Sequence, residues 1–221
     1  MSVEKPRLVG VFALSPEETM REFRRVSGLL SSLPKGTRIG FAVSRSEFER
    51  LVSNKDATVG LDLVKALALN AHAKGLEVVP LDSEKRSVAV ERATGALRGL
   101  QEVQSMHLPA PLSELYEAAV KKAYGHVHAW SRFNGMLMAK KMINQDLPVT
   151  VMSDVHVKIL EPALKNHFVI DKSPEGRKWM LGVPEHLVAF TNHFDEHMVK
   201  SLRRKLERKS ARAESIRSRN T

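Results

Sequence analysis

Residues capable of chemistry are concentrated between positions 126 and 164, where the chain reads HVHAWSRFNGMLMAKKMINQDLPVTVMSDVHVKILEPAL. The stretch contains a His-x-His pair, an arginine, an aspartate and a further histidine, namely His126, His128, Arg132, Asp154 and His156. Imidazoles bind metal ions and exchange protons, and arginine holds anions through its bidentate fork. A functional site is therefore expected in this stretch before any other.

His156 has the most informative position of these residues. The apolar run Val149 to Val155 predicts a buried strand, and a helix is predicted to begin near Val157. His156 then falls at the carboxyl end of a strand, where open α/β sheets bind ligands. The position suits a metal ligand, a general base or an anion contact, and it equally suits a histidine that caps the next helix.

The other candidates are weaker. Arg132 suits an anion clamp and, equally, an ion pair within its own helix. His126 and His128 share one face only in a strand, and here they fall in a predicted helix. The segment His193 to His197 (HFDEH) matches the His-x-x-Glu-His pattern of inverted zinc peptidases. Such an enzyme needs a further acidic ligand far downstream, so a surface histidine cluster is the favoured interpretation.

Several chemistries lack their motifs in the sequence. The chain contains no cysteine, which excludes disulfides, thiolate metal sites and cysteine nucleophiles. Glycines at positions 10, 36, 40 and 60 are isolated, without the spacing of a phosphate-binding loop. No apolar run is long enough for a membrane span or for the core of a signal peptide, which favours a cytoplasmic protein.

The positive charge is concentrated at the C-terminus. The formal net charge is +10, and residues 200–221 contain nine Lys and Arg against two Glu. This predicts that a nucleic acid or the ribosome, if either is a partner, meets the tail first. No aromatic residue follows Phe194, so binding would be led by phosphate contacts. The cations expected to make them are Arg203, Arg204, Lys205, Arg208, Lys209 and Arg212.

The elements that must position these residues alternate between strand and helix. Apolar runs bounded by turn signals predict strands at 7–13, 37–43, 76–81 and 149–155, and a short strand at 168–170. Ser15-Pro16-Glu17-Glu18 is a capping box that starts a helix, and Gly75 is placed to end one. Pro80 indicates that its strand ends there or lies at the sheet's edge. Further helices are predicted over 61–74, over 83–100, from Ser113 and from Pro184. The order predicts an α/β fold, with a mainly parallel sheet flanked by helices and a basic C-terminal helix.

This order resembles the TraB/Tiki superfamily, a group of α/β proteins related to haem-uptake and erythromycin-esterase-like proteins. Members open with a strand that ends in Gly-x-x-His, and a second strand ends in Glu. A later helix carries an Arg before a hydrophobic strand that ends in His. The matching segments are Leu8–Ala13, Ile39–Val43, Ala71–Asp82, Arg132 and Val149–His156, and the likeness spans residues 7–165.

The chain departs from this pattern at two polar positions. Ala13 stands where the first His is expected, and Ala42 stands where the Glu is expected. The resemblance implies a metal-assisted hydrolase in which Asp82, Arg132 and His156 remain as candidate catalytic residues. It therefore implies a centre that has lost most of its hydrolytic groups.

Three functions follow as expectations. The first is a divergent TraB/Tiki-like domain, residues 1–170, that binds or regulates, followed by a helical extension with a basic tail, residues 171–221. The second is a metal-dependent hydrolase that uses His156, Asp82 and one of His126 or His128. The third is a nucleic-acid-binding or ribosome-associated factor that acts through the tail. The sequence does not specify a metal or cofactor.

Overall fold

A computed structural model describes residues 5–13, 15–53, 62–84, 95, 110–174 and 192–217. The strands are β1 (Arg7–Val11), β2 (Arg38–Phe41), β3 (Glu77–Pro80), β4 (Val149–Ser153) and β5 (Val169–Asp171). The helices are α1 (Pro16–Ser31), α2 (Arg45–Ser53), α3 (Leu63–Ala73), α4 (Ala110–Asn144), α5 (Asp154–Leu164) and α6 (Asn192–Arg217). The α/β fold predicted from the alternating pattern is confirmed.

All five strands form one parallel sheet in the order β3-β2-β4-β1-β5. The four longer predicted strands therefore share a sheet, as expected, and the short predicted strand forms its edge as β5. Arg7 pairs with both Val149 and Val169, so β1 lies between β4 and β5. Pro80 ends β3, which is the opposite edge strand, because proline cannot donate to a further neighbour.

Local sequence signals explain where several elements begin and end. The Ser15 side chain accepts a hydrogen bond from the Glu18 N–H at 3.2 Å, so Ser15 caps the start of α1 as predicted. Gly75 follows α3 with a φ of 78°, the left-handed conformation that glycine adopts without a steric penalty. The fourth strand ends at Ser153, two residues earlier than predicted, because Asp154 already begins α5.

Each face of the sheet has its own hydrophobic core. On one face, Val9 and Val151 pack with residues of α1 and α3 such as Val26 and Leu67. On the other face, Leu8 and Met152 pack with apolar side chains of α4, α5 and α6, among them Met138, Leu160 and Leu202. Successive residues of β1 point into different cores, as the alternation of side chains along a strand requires.

Some predictions fall on parts of the chain that the structure does not describe. Most of the helix predicted over 83–100 lies outside the described residues, as does the start of the helix predicted from Pro184. The helix predicted from Ser113 begins at Ala110. Within the described ranges, no helix is long and apolar enough to cross a membrane.

Candidate functional site

His156 is held between the end of β4 and helix α4. Its Nδ1 lies 3.0 Å from the Ser153 hydroxyl oxygen. A Cβ atom added at Gly135 would lie 3.1 Å from the imidazole Cδ2, so the ring packs against the backbone of α4 at that glycine. His156 therefore lies in the first turn of α5 and not directly at the end of the strand as predicted, and it bonds to Ser153, the residue that precedes its helix.

Asp82 lies at the same edge of the sheet, two residues after β3. Its carboxylate accepts a hydrogen bond from the Ser83 N–H at 2.6 Å, and its backbone carbonyl accepts one from Lys141 at 3.3 Å. Strand β2 lies between β3 and β4, which places the ends of these two strands about 10 Å apart. Asp82 and His156 are thus separated by one strand at the carboxyl edge.

Arg132 lies one helical turn before Gly135 in α4, and therefore close along the chain to the residue that touches His156. Its side chain lies outside the described part of the structure, as do those of His126, His128, His193 and His197. The prediction that Arg132, His156 and Asp82 serve one pocket stays a prediction. Among the described residues, no three His, Asp or Glu side chains are grouped so as to hold a metal ion.

A buried polar cluster that the sequence did not predict lies where β1, β4 and β5 end. Asp154 is only 2% exposed, and its Oδ1 accepts a hydrogen bond from the Ser173 N–H at 3.0 Å. The buried Ser173 hydroxyl donates to the Phe12 carbonyl at 3.2 Å. Gly10 makes room for the carboxylate, because a Cβ there would lie 2.4 Å from Oδ1. The start of α5 is thus joined to the ends of β1 and β5.

Arg25 connects a second buried carboxylate to the same region. Glu22 is 3% exposed, and its two oxygens accept from Nε and Nη2 of Arg25, both at 3.0 Å. The guanidinium also donates to the Gly10 carbonyl at 2.7 Å and lies 2.8 Å from the Asp171 carboxylate. A bidentate arginine of this kind fixes the direction of both partners. It therefore ties α1 to β1 and β5.

Burial raises the pKa of Asp154 above its usual range, and the negative charge of Glu22 adds to the rise. The Ser173 N–H, Lys172 and Lys158 act in the opposite direction. A carboxyl group in this setting is less readily ionised than one in water. Its described hydrogen bond is to the chain's own backbone, so the cluster acts in the first place as an internal cross-link.

Helix α6 lies on the face covered by α4 and α5. Leu202 and Leu206 are buried there, which confirms two members of the apolar stripe predicted at four-residue intervals. The earlier members fall on side chains outside the described residues. The basic C-terminal helix is therefore packed onto the α/β body over this part of its length.

Two of the predicted phosphate-binding cations anchor α6 instead. Arg203 donates to the carbonyl of Pro162 in the last turn of α5 at 2.7 Å. Lys209 donates to the carbonyl of Ile143 in the last turn of α4 at 2.6 Å, and it also contacts the carboxylate of Asp146. Cations are favoured at helix C-termini, where carbonyl groups lack partners within the helix. These contacts hold α6 across the ends of two helices.

The remaining predicted cations face outward. Arg204, Arg208 and Arg212 are exposed and follow one another at four-residue intervals, so they form one row along α6. Lys205 is half-buried beside the row. Within the part of the chain that the structure describes, these four residues form no ion pair with an acidic side chain. The arginine row, defined as Arg204, Arg208 and Arg212, is thus available for an external anion.

Comparisons with protein-family models, with curated proteins and with solved structures found no match to this chain. The resemblance to the TraB/Tiki superfamily therefore stays a prediction.

Proposed function

We propose that this protein binds the phosphate backbone of nucleic acids through the arginine row of α6. The observation that supports this proposal is that the basic residues of the helix fall into two groups, one bonded to the body and one exposed. Arg203 and Lys209 are bonded to the body, whereas Arg204, Arg208 and Arg212 point away from it. A helix anchored in this way presents three guanidinium groups without first having to become ordered.

Because α6 is already anchored to the body, the free energy of binding does not include the entropy cost of ordering this segment. Arginine is suited to the role, since its planar fork matches the geometry of a phosphate and keeps its charge at all physiological pH values. Affinity gained from three phosphate contacts would be sensitive to salt and largely independent of base sequence.

The test compares the full-length chain with a triple variant, Arg204→Gln, Arg208→Gln and Arg212→Gln, for binding to mixed-sequence nucleic acid across a salt series. Glutamine keeps the helix propensity and removes only the charge. On B-form DNA the slope of log affinity against log salt is expected to become less steep by about 2.7. Deletion of residues 207–221 would be a less informative test, because it also removes the Lys209 anchor.

A matched control neutralises three exposed arginines on α1 and α2, through Arg24→Gln, Arg45→Gln and Arg50→Gln. It changes the net charge of the protein by the same amount as the first variant. Equal effects of the two triples would mean that affinity follows overall charge, and would contradict a site on α6. The absence of nucleic-acid binding by the unmodified chain would contradict the proposal altogether.

The other two functions stay proposals with less support. A binding or regulatory role of a TraB/Tiki-like body fits with the first proposal, because that body would act as the scaffold of α6. A metal-dependent hydrolase would require His156 and Asp82 to act together across the intervening β2. Stoichiometric metal in protein purified without chelators would support it, and hydrolysis of an ester or peptide substrate that is lost in both His156→Ala and Asp82→Ala would establish it.

A further inference from the structure

The arginine row is part of a wider basic surface that extends beyond α6. The carboxyl ends of α4 and α5, which α6 crosses, lie near the amino ends of the strands. Helix α4 ends at Asn144 and β4 begins at Val149, and α5 ends at Leu164 and β5 begins at Val169. Contacts on either side of α6 extend the surface along this amino edge of the sheet.

On one side the surface reaches Lys165. This lysine is the C-cap residue of α5 and follows Pro162, whose carbonyl binds Arg203, by three residues. Both Pro162 and Lys165 are exposed. Lys5 lies next to it, because its ammonium group donates to the Asn166 carbonyl at 3.2 Å. The cations at this end thus come from α5 and from the segment before β1.

On the other side the surface reaches Lys35 through a series of contacts. Asp146, which Lys209 contacts, follows Gln145, and Gln145 accepts a hydrogen bond from Arg38 at 3.4 Å. Arg38 begins β2 beside Glu77 of β3. Lys35 is exposed, and its side chain lies 3.7 Å from the position of a Cβ on Gly75, just before β3.

Three acidic residues of this region form ion pairs. Glu77 lies 3.1 Å from Arg38, Asp146 pairs with Lys209, and Glu161 pairs with Lys172. Glu207 of α6 is exposed and forms no ion pair within the described residues. Lys35 and Lys165, which extend the arginine row, form no ion pair within the described residues. The region has a width of about 19 Å, the four strand spacings between β3 and β5.

We infer that this amino-edge surface, made of the arginine row together with Lys35, Arg38, Lys165 and Lys5, binds double-stranded nucleic acid. The inference rests on the proposed function and names the class of its partner. A surface about 19 Å wide can reach both backbones that border a major groove, which is about 12 Å across. A single strand is usually held by stacking its bases on aromatic side chains.

Exposed aromatic side chains are missing from the described residues of this edge. Phe168 is buried, and Phe133, which is 42% exposed, lies two residues from Gly135 and hence near His156 at the carboxyl edge. Paired bases offer no faces for stacking, so a surface of cations without aromatic groups is suited to a duplex. Duplex RNA and duplex DNA share the phosphate chemistry, and the experiment separates them.

The test uses the full chain with Lys35→Glu and Lys165→Glu together, which leaves α6 unchanged. Binding is measured across a salt series to DNA and RNA duplexes of one sequence, and to their single strands. The salt slope on duplex DNA is expected to become less steep by about 1.8 for two lost phosphate contacts, with roughly a tenfold loss of affinity at low salt. Duplexes are expected to bind more tightly than single strands.

The matched control is Arg45→Glu with Lys158→Glu, which makes the same charge change at the other edge of the sheet. Lys158 is exposed near the start of α5, the helix that Lys165 follows at its other end. Unchanged affinity in the Lys35 and Lys165 variant would overturn the inference while leaving α6 as the site. Preference for single strands would overturn the duplex assignment, and no binding by the unmodified chain would instead overturn the proposed function.

Discussion

The helix ends at the two edges of the sheet include side chains of opposite charge, although the same sheet forms both edges. At the carboxyl edge the strands end and helices begin, and carboxylates collect there, as at Asp62, Asp82 and Asp154. At the amino edge the helices end, and cations collect there, as at Lys165, Arg203 and Lys209. The aligned dipoles of the backbone favour acidic side chains at the start of a helix and basic side chains at its end.

An all-parallel sheet thus gathers helix starts at one edge and helix ends at the other, and these ends favour side chains of opposite charge. The edges also differ in how their charges are used. Asp154, Glu22 and Arg25 are bonded inside the protein, whereas the arginine row faces solvent. We therefore expect substitutions at the carboxyl edge to alter stability, and those at the exposed amino edge to alter binding.

The largest effect on stability is expected from Gly10→Ala. The added methyl group would lie 2.4 Å from the Asp154 carboxylate and 3.3 Å from its Cα, so the start of α5 must shift. We expect the free energy of unfolding to fall by about 2–3 kcal/mol, as measured by urea denaturation. Gly28→Ala is the control, because nothing lies within 4 Å of its Cβ position and alanine favours the helix. A similar loss in both variants would contradict a steric role of Gly10.

Removal of the Asp154 carboxylate is expected to have the next largest effect. In Asp154→Ala the buried Ser173 N–H loses its acceptor, which costs about 1–3 kcal/mol of unfolding free energy. Asp154→Asn retains an acceptor oxygen and removes the buried charge, so at neutral pH it is expected to be at least as stable as the unmodified protein. Thermal and urea unfolding of the two variants measure the difference, and equal losses would contradict this account.

The same pair of proteins has an expected pH dependence. Because the pKa of Asp154 is raised by burial, the folded state holds its proton more tightly than the unfolded state. The resulting stabilisation is complete below the unfolded value of about 4 and is lost as the pH rises through the raised folded value. The stability of unmodified protein relative to Asp154→Asn should therefore decrease over this window. A constant difference across the window would argue that Asp154 is ionised as in water.

The smallest effect is expected at the amino edge, from Lys209→Met. This change removes an ion pair with Asp146 and a hydrogen bond to the Ile143 carbonyl, in a place where the lysine is 40% exposed. Together these contacts contribute about 1 kcal/mol or less. Faster amide exchange in α6 than in α5 would locate the effect. Lys205→Met, which removes a cation that forms no described ion pair, is the control and should leave exchange unchanged.

The sequence predicted the elements of the fold but not their neighbours. Apolar runs and the signals at Ser15 and Gly75 locate strands and helix ends, because those preferences are local. Nothing local records that β1 lies between β4 and β5, so the meeting of Arg25 with Asp171 was not predicted. The burial of Asp154 against Gly10 depends on the same strand order.

The residues of the candidate interface, too, could be predicted only in part from the sequence. The excess of Lys and Arg in residues 200–221 is visible in the sequence, and so is the apolar stripe that contains Leu202 and Leu206. Their spacing does not show which cations anchor the helix, because Arg203 and Lys209 bond to residues 41 and 66 positions away. Only the docked position of α6 separates the cations that anchor the helix from the cations that are exposed.

The pairing of β1 has a consequence for how the chain is made. This first strand pairs on one side with β4 and on the other with β5, whereas β2 and β3 are close in sequence and pair directly. During synthesis β1 therefore has no partner strand, and its apolar residues stay exposed to solvent, until residues 149–171 have been added. Such long-range pairing slows folding and leaves early intermediates open to aggregation. A chain interrupted before β4 would retain the β2–β3 pair and leave its N-terminal strand without a place in the sheet.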